Sequence, residues 1–178
     1  MLNGEKVSLS AIDRGDLQRL LEWRNNPEFR RYFREYRELN MAQQERWFET
    51  KVISDKTIQM FAIRRREDQL LLGCCGLVYI DWLNRHADLS LYVGWNDVYI
   101  DDEGYAEEGA ELLIAYGFGE LGLNKIWTEI FEFDDRKDRL YHKLGFSQDG
   151  LLRRHHWHDG RWWDSKILSV LVDEKIVK

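Results

Sequence analysis

The apolar positions of this chain change period several times, and each change marks an element. Residues 6–12, "KVSLSAI", alternate apolar and polar, the two-residue period of a half-buried strand. In "DLQRLLEWRNN" the period lengthens. Leu17, Leu20, Leu21 and Trp23 gather on one side of a helix that Asp13 or Asp16 can cap and that Asn25, Asn26 and Pro27 end. A second short helical run, "PEFRRYFRE", follows, and "NMAQQERWFETKVI" starts a third helix at Asn40. Strand-like patterns return over residues 57–66, 70–82 and 86–95, with "EDQ" turning the first into the second. These three strands read as an antiparallel meander.

Residues 105–121 are helical again. Ala106, Ala110, Leu113, Ile114, Gly117 and Leu121 recur at helical spacing, and Gly122 suits the C-cap. "KIWTEIFEF" (residues 125–133) is a strand, and residues 134–144 form an amphipathic helix that stops at Gly145. The tail is a long hairpin: "FSQDGLLRRHHWH" runs out, Asp159-Gly160 turns, and "RWWDSKILSVLVD" returns. The order is strand, helices, three strands, helix, strand, helix, two strands. This is an α+β fold, a mixed sheet with a strand–helix–strand unit inside it.

Composition sharpens this picture. With 178 residues, 44% hydrophobic and 33% charged, the chain can bury a core as one domain over residues 1–178; its single proline and lack of a Gly/Ser linker agree. A net charge of −6 argues against nucleic acid as partner and favours a cationic one through steering. Residues 1–10 lack an apolar stretch behind a basic start, and no segment reads as a membrane span, so neither a signal peptide nor a membrane partner is expected. Adjacent Cys74 and Cys75 offer no disulfide framework and fit a reducing cytoplasm. "HHWH" puts His156 and His158 on one strand face and His155 on the other. Without CxxC or HExxH beside it, no metal site is expected there.

The stretch "IDDEGYAEEGAELLIAYGFGELGL" (residues 100–123) carries the first candidate chemistry. A glycine feeding a helix start is a natural anion seat, yet three acids, residues 101–103, stand before it. The second stretch, "DDRKDRLYHKLGFSQDGLLRR" (residues 134–154), is a polar helix ending in "LYHKLGF" and running into a strand. It resembles the C-terminal signature of the Gcn5-related N-acetyltransferases. "LEWRNNPEFRRYF" (residues 21–33) resembles the N-terminal segment of the branch that holds ribosomal-protein alanine N-acetyltransferases and enzymes acting on small amines or amino sugars. The resemblance spans nearly the whole chain. It implies a central, mostly antiparallel sheet, flanked by helices and splayed between its fourth and fifth strands. Acetyl-CoA would lie in that split, with its pyrophosphate at the start of the central helix. The implied reaction is direct transfer of the acetyl group to a primary amine, on a protein N-terminus or a small molecule. A monomer or homodimer would perform it.

The resemblance also implies roles. Tyr141 matches the tyrosine that protonates the departing sulfur; it also suits packing of its ring against the sheet. Asp88 falls where relatives carry a glutamate and is the candidate base, through water, or else a solvated strand-end acid; His86 is an alternative. The main chain of Leu91, Tyr92 and Val93 is expected to meet the pantetheine arm, and Gly104, Tyr105, Ala106 and Asp134 the rest of the cofactor. Arg24, Asn25 and Trp47 are acceptor-site candidates, with Arg24 alternatively a helix-end cation; Tyr79, Trp82, Trp157 and Trp163 could also line that pocket or simply pack. Two positions depart from the family pattern. Asp101 stands where Gln or Arg is usual, and Asp134 where Asn is. The anion seat survives, weakened, if the acids point to solvent. The competing function is a binding or sensor module of the same fold whose acidic loop has impaired cofactor binding.

Overall fold

The computed structural model describes residues 1–176. Eight strands, β1 (Leu2–Asn3), β2 (Val7–Ser10), β3 (Gln59–Arg65), β4 (Leu71–Asp81), β5 (His86–Val93), β6 (Lys125–Phe131), β7 (Ser147–His158) and β8 (Arg161–Leu171), form one sheet in the order β1-β2-β3-β4-β5-β6-β8-β7. The meander expected from the alternation is β3, β4 and β5, and the hairpin is β7 and β8. Asp159 and Gly160 both take positive φ at its turn. All neighbours run antiparallel but β5 and β6. These two pair only at His86↔Lys125, Ala87↔Ile126 and Asp88↔Trp127, and then part. β6 keeps its order without β5 because it pairs along its whole length with β8, from Lys125↔Leu171 to Phe131↔Ser165.

The helices are α1 (Leu17–Asn25), α2 (Pro27–Arg30), α3 (Met41–Trp47, continued by a wider turn over Phe48–Ile53), α4 (Tyr105–Gly119), α5 (Asp135–Lys143) and α6 (Val172–Ile176). α3 starts as the Asn40 cap predicts. The Asn40 side chain accepts the Gln43 N–H at 2.9 Å, and the Gln43 side chain accepts the Asn40 N–H at 2.9 Å. α4 packs on β2, β4 and β5 through Ala106, Gly109, Ala110, Leu113, Ile114 and Gly117. At Gly117 a Cβ would meet Ile126 at 2.9 Å and Leu77 at 3.0 Å, so a small residue lets the helix lie close to the sheet. Leu77, Leu89, Leu113 and Ile126 are fully buried there, each contributing about 1.5–3 kcal/mol of transfer free energy.

Four details differ from the sequence reading. β1 is an additional strand, because Leu2 and Asn3 fold back onto Leu9 and Ser8. Asp13 and Asp16 frame a single 3-10 turn before α1, and Asp16 spends its carboxylate on Arg64, at 2.9 and 2.8 Å from one guanidinium nitrogen. α2 ends at Arg30, and residues 31–40 are irregular. The last strand ends at Leu171, where α6 begins.

Candidate active site

Where β5 and β6 part, a cavity of about 470 Å3 opens between the sheet, α1, α3 and α5. Asp88 and Leu91 reach it from β5, Thr128 and Glu129 from β6, Lys137 from α5, and Arg34 from the irregular segment after α2. Asp88 is 3% exposed, and burial pushes its carboxyl up to about 6 against the pull of Arg34. One arm of the Arg34 guanidinium, Nη1, donates to Asp88 Oδ2 at 3.0 Å; the other, Nη2, lies 3.5 Å from Glu129 Oε2. His155 Nε2 stands 3.8 Å from the second oxygen of Glu129. His86, the alternative base, lies outside the cavity lining and faces Asp81 at 3.7 Å instead.

The strand period decides which main-chain groups face the split. The Gly94 N–H donates to the Leu72 carbonyl at 2.8 Å, so even-numbered residues of β5 turn their main chain to β4. Odd-numbered ones turn to β6: the Leu89 carbonyl accepts from the Thr128 hydroxyl at 3.1 Å, and the Val93 N–H is taken by the Tyr99 carbonyl at 3.0 Å. Of the three positions expected to meet the cofactor arm, Leu91 therefore has its N–H free on the open side. Tyr92 belongs to the ladder with Cys74.

The acids before α4 divide. Asp101 turns inward, 8% exposed, and its two oxygens accept the N–H groups of Tyr105 and Ala106, each at 2.7 Å. These are the first amides of the helix, whose positive end favours a negative partner. Asp102 points to solvent, 3.8 Å from Arg136. Gly104 has φ +89°, the left-handed region, and a Cβ would sit 3.1 Å from the Lys6 ammonium, which donates to the Glu103 carbonyl at 2.7 Å. The condition under which the anion seat survives, acids pointing to solvent, is met by Asp102 and not by Asp101. A folded chain cannot leave two buried amides without an acceptor, and the nearest carboxylate supplies one. A cofactor pyrophosphate fits the amides of Gly104 and Glu107, which have no acceptor among the described residues. It fits those of Tyr105 and Ala106 only with Asp101 displaced.

Asp134 caps α5 through the Lys137 N–H at 3.1 Å and accepts from the Tyr99 hydroxyl at 3.4 Å. Burial raises its proton affinity, and Lys137 works against that. The Lys137 ammonium sits 5.2 Å above the Tyr99 ring; burial lowers its proton affinity while Asp134 and Asp88 raise it. Tyr141 is fully buried and, like His86, is not among the residues that line the cavity; its hydroxyl has no hydrogen-bond partner. Thr128 lies near it and slightly favours the ionised phenol, but that hydroxyl is committed to the Leu89 carbonyl. Burial dominates, raises the phenol's proton affinity and keeps it protonated at neutral pH.

The N-terminal candidates separate. Arg24 lines the cavity with its guanidinium 5.6 Å from the Phe33 ring, and Trp47 lines it from α3. Asn25 does not: both ends of its amide bind the Leu39 main chain, at 2.7 and 2.8 Å, and anchor the irregular segment. Tyr79 lines the cavity; Trp82 and Trp157 are exposed, and Trp163 packs on Phe133 at 5.0 Å. His156 and His158 do share a face, stacked on Phe131 and Phe133, and no metal-binding group of three or more His, Cys, Asp or Glu occurs among the described residues. Arg34, Glu129 and Lys137 were not singled out as acceptor-site residues by sequence. Glu129 had a signal, an acid inside the apolar run "KIWTEIF"; Arg34, one of several arginines in the run "PEFRRYFRE" that reads as a helix, had none.

The profile of the acetyltransferase (GNAT) domain matches residues 6–147. An uncharacterised N-acetyltransferase of Bacillus subtilis is 24% identical over 176 residues, covering 96% of each chain. The spermidine N(1)-acetyltransferase of Escherichia coli is 27% identical over 181 residues, covering 100% of this chain and 92% of that one. The fold matches the crystal structure of spermidine N-acetyltransferase from Vibrio cholerae in complex with CoA and spermine with a TM-score of 0.87, at 23% identity and over 96% and 98% of the two chains. No helix among the described residues is long and apolar enough to cross a membrane. A sheet split between two parallel strands, a glycine-led helix beside it and a matching profile over most of the sequence have one common meaning: the chain belongs to the GNAT acetyltransferase family, acyltransferases that use acetyl-CoA to acetylate an amine.

Proposed function

We propose that the acceptor is a small molecule with more than one ammonium group, of the polyamine kind, and that its amine attacks the thioester directly within the split. The observation that carries this reading is the pair of carboxylates, Asp88 on β5 and Glu129 on β6, that face one guanidinium across the gap. Glu35 and Asp134 also line the cavity, so its four acids equal the four cations Arg24, Arg34, Lys51 and Lys137 in number; what favours a cationic acceptor is position, since Asp88 and Glu129 stand where the strands part. The likeness to spermidine acetyltransferases of two bacteria supports the same chemistry.

In this reading acetyl-CoA supplies the thioester. Asp88 accepts the acceptor's ammonium proton, a role its raised proton affinity suits because a base works best near the operating pH. The Leu91 N–H donates to the negative charge that develops on the carbonyl oxygen. Tyr141, protonated and without an acceptor of its own, donates its proton to the departing sulfur. The amides of Gly104 and Glu107 hold the anionic end. Thr128 and Lys137 frame the arm between them. Buried, unlinked Cys74 and Cys75 suit a reducing, cytoplasmic setting.

Thiol release measured over spermidine, spermine, an amino sugar and a peptide with a free N-terminus tests the acceptor. Polyamines are expected to give the highest kcat/KM; a preference for the peptide or the sugar overturns the polyamine assignment. Asp101 favours a second feature, a weak hold on the cofactor, and calorimetric titration with CoA reads it directly.

A further inference from the structure

Arg34 stands between solvent and the two carboxylates. Its side chain is 47% exposed, whereas those of Asp88 and Glu129 are 4% and 15% exposed. It makes with them the contacts that an acceptor's ammonium would need, N–H donors directed at two carboxylates from opposite strands. The segment that carries it is built to let go. Asn25 ties it down at Leu39, and the rings of Tyr32 and Phe33 pack on Tyr99 at 4.5 and 5.8 Å. Between those anchors no backbone–backbone hydrogen bond among the described residues involves residues 34–38. Moving Arg34 therefore breaks side-chain contacts and no ladder.

We propose that Arg34 is an internal substitute for the acceptor: it occupies the acceptor's ammonium subsite in the resting protein and sets which amines enter. The proposal rests on the reading of Asp88 and Glu129 as the acceptor site. An exchange of Arg34 for an incoming cation leaves neither carboxylate unpaired, so the buried charges keep a partner throughout. A guanidinium reaches both carboxylates at once. An acceptor with one ammonium can match only one of those contacts, whereas a diamine or polyamine can offer a cation to each. Arg34 thus weakens by the same factor every cation that must displace it, and only an acceptor with a cation for each carboxylate regains both contacts; it acts on entry without touching the thioester.

The test compares wild type, Arg34→Ala and Arg34→Lys, with thermal melting to show that each is folded. Thiol release is followed with spermidine and with butylamine, and spermidine binding without acetyl-CoA is measured by calorimetry. Arg34→Ala is expected to lower the KM for spermidine about tenfold, to lower that for butylamine by no more than this, and to tighten spermidine binding in parallel. Arg34→Lys, still cationic but unable to span both acids, is expected to fall between. A KM that stays the same or rises in Arg34→Ala overturns the proposal. So does a fall in kcat whose acid limb moves to higher pH at unchanged KM, because Arg34 is then a positioning residue for Asp88. If spermidine is neither bound nor acetylated by any of the three proteins, the polyamine reading fails and the proposal with it. If wild type acetylates spermidine and Arg34→Ala differs in none of these respects, the proposal alone fails.

Discussion

At one side of the split the chain places its own anion, Asp101, on the amides of Tyr105 and Ala106; at the other it places its own cation, Arg34, on Asp88 and Glu129. Each group has the charge that a ligand would bring to that spot. They differ in how they are held. Asp101 is 8% exposed and reaches helix amides only four and five residues ahead in sequence, so it is a local cap. Arg34 crosses from a distant, irregular segment and is nearly half exposed. The proposed cofactor end is self-satisfied by a firm contact, and the proposed acceptor end by a loose one. In the proposed reading a pyrophosphate uses the amides of Gly104 and Glu107 beside the Asp101 cap and gains those of Tyr105 and Ala106 only by breaking it, whereas an acceptor replaces a half-exposed contact.

Substitutions can break that comparison at several strengths. Asp88→Asn removes the proposed base and is expected to lower kcat/KM for spermidine by about 10²–10⁴-fold with CoA affinity unchanged. In wild type the same group gives a pH signature. The carboxyl must be ionised to accept a proton, and burial holds it near 6, so kcat/KM is expected to fall as pH drops through about 6 and to level off above it. A profile flat down to pH 5 shows that Asp88 does not gate the rate. Tyr141→Phe keeps the ring and loses the proposed proton donor, with an expected fall in kcat of about 10²-fold and no change in CoA binding by calorimetry. Equal loss of binding and rate assigns the residue to packing.

Asp101→Ala addresses the firm contact and moves two quantities in opposite directions. CoA binding is expected to tighten about tenfold, since a buried like charge leaves the phosphate seat. Thermal unfolding is expected to show a loss of about 1 kcal/mol, the usual cost of removing a helix cap. Tightening without destabilisation breaks the account of Asp101 as a cap. Asp102→Ala, at the exposed neighbour, is expected to change CoA affinity by less than about twofold, because solvent and salt screen it.

The order of elements, the meander, the hairpin turn at Asp159-Gly160 and the Asn40 cap were legible in the sequence because they rest on local chemistry: alternation, helical spacing and turn residues. The resemblance carried by "LYHKLGF" pointed to the family and to a split sheet, and both hold. What residue type alone left undecided was direction. Asn25 looks like a site residue by position and is an anchor by contact. Asp101 and Asp102 are the same residue side by side, yet one faces the helix and the other water. Arg34 lies 54 positions from Asp88, and no periodicity links them. A sequence determines which groups a chain owns and the period on which local elements repeat. Which acid meets which amide, and which cation covers which carboxylate, is decided only when distant segments pack, because burial leaves each polar group to find its partner among whatever the fold has brought within about 3 Å.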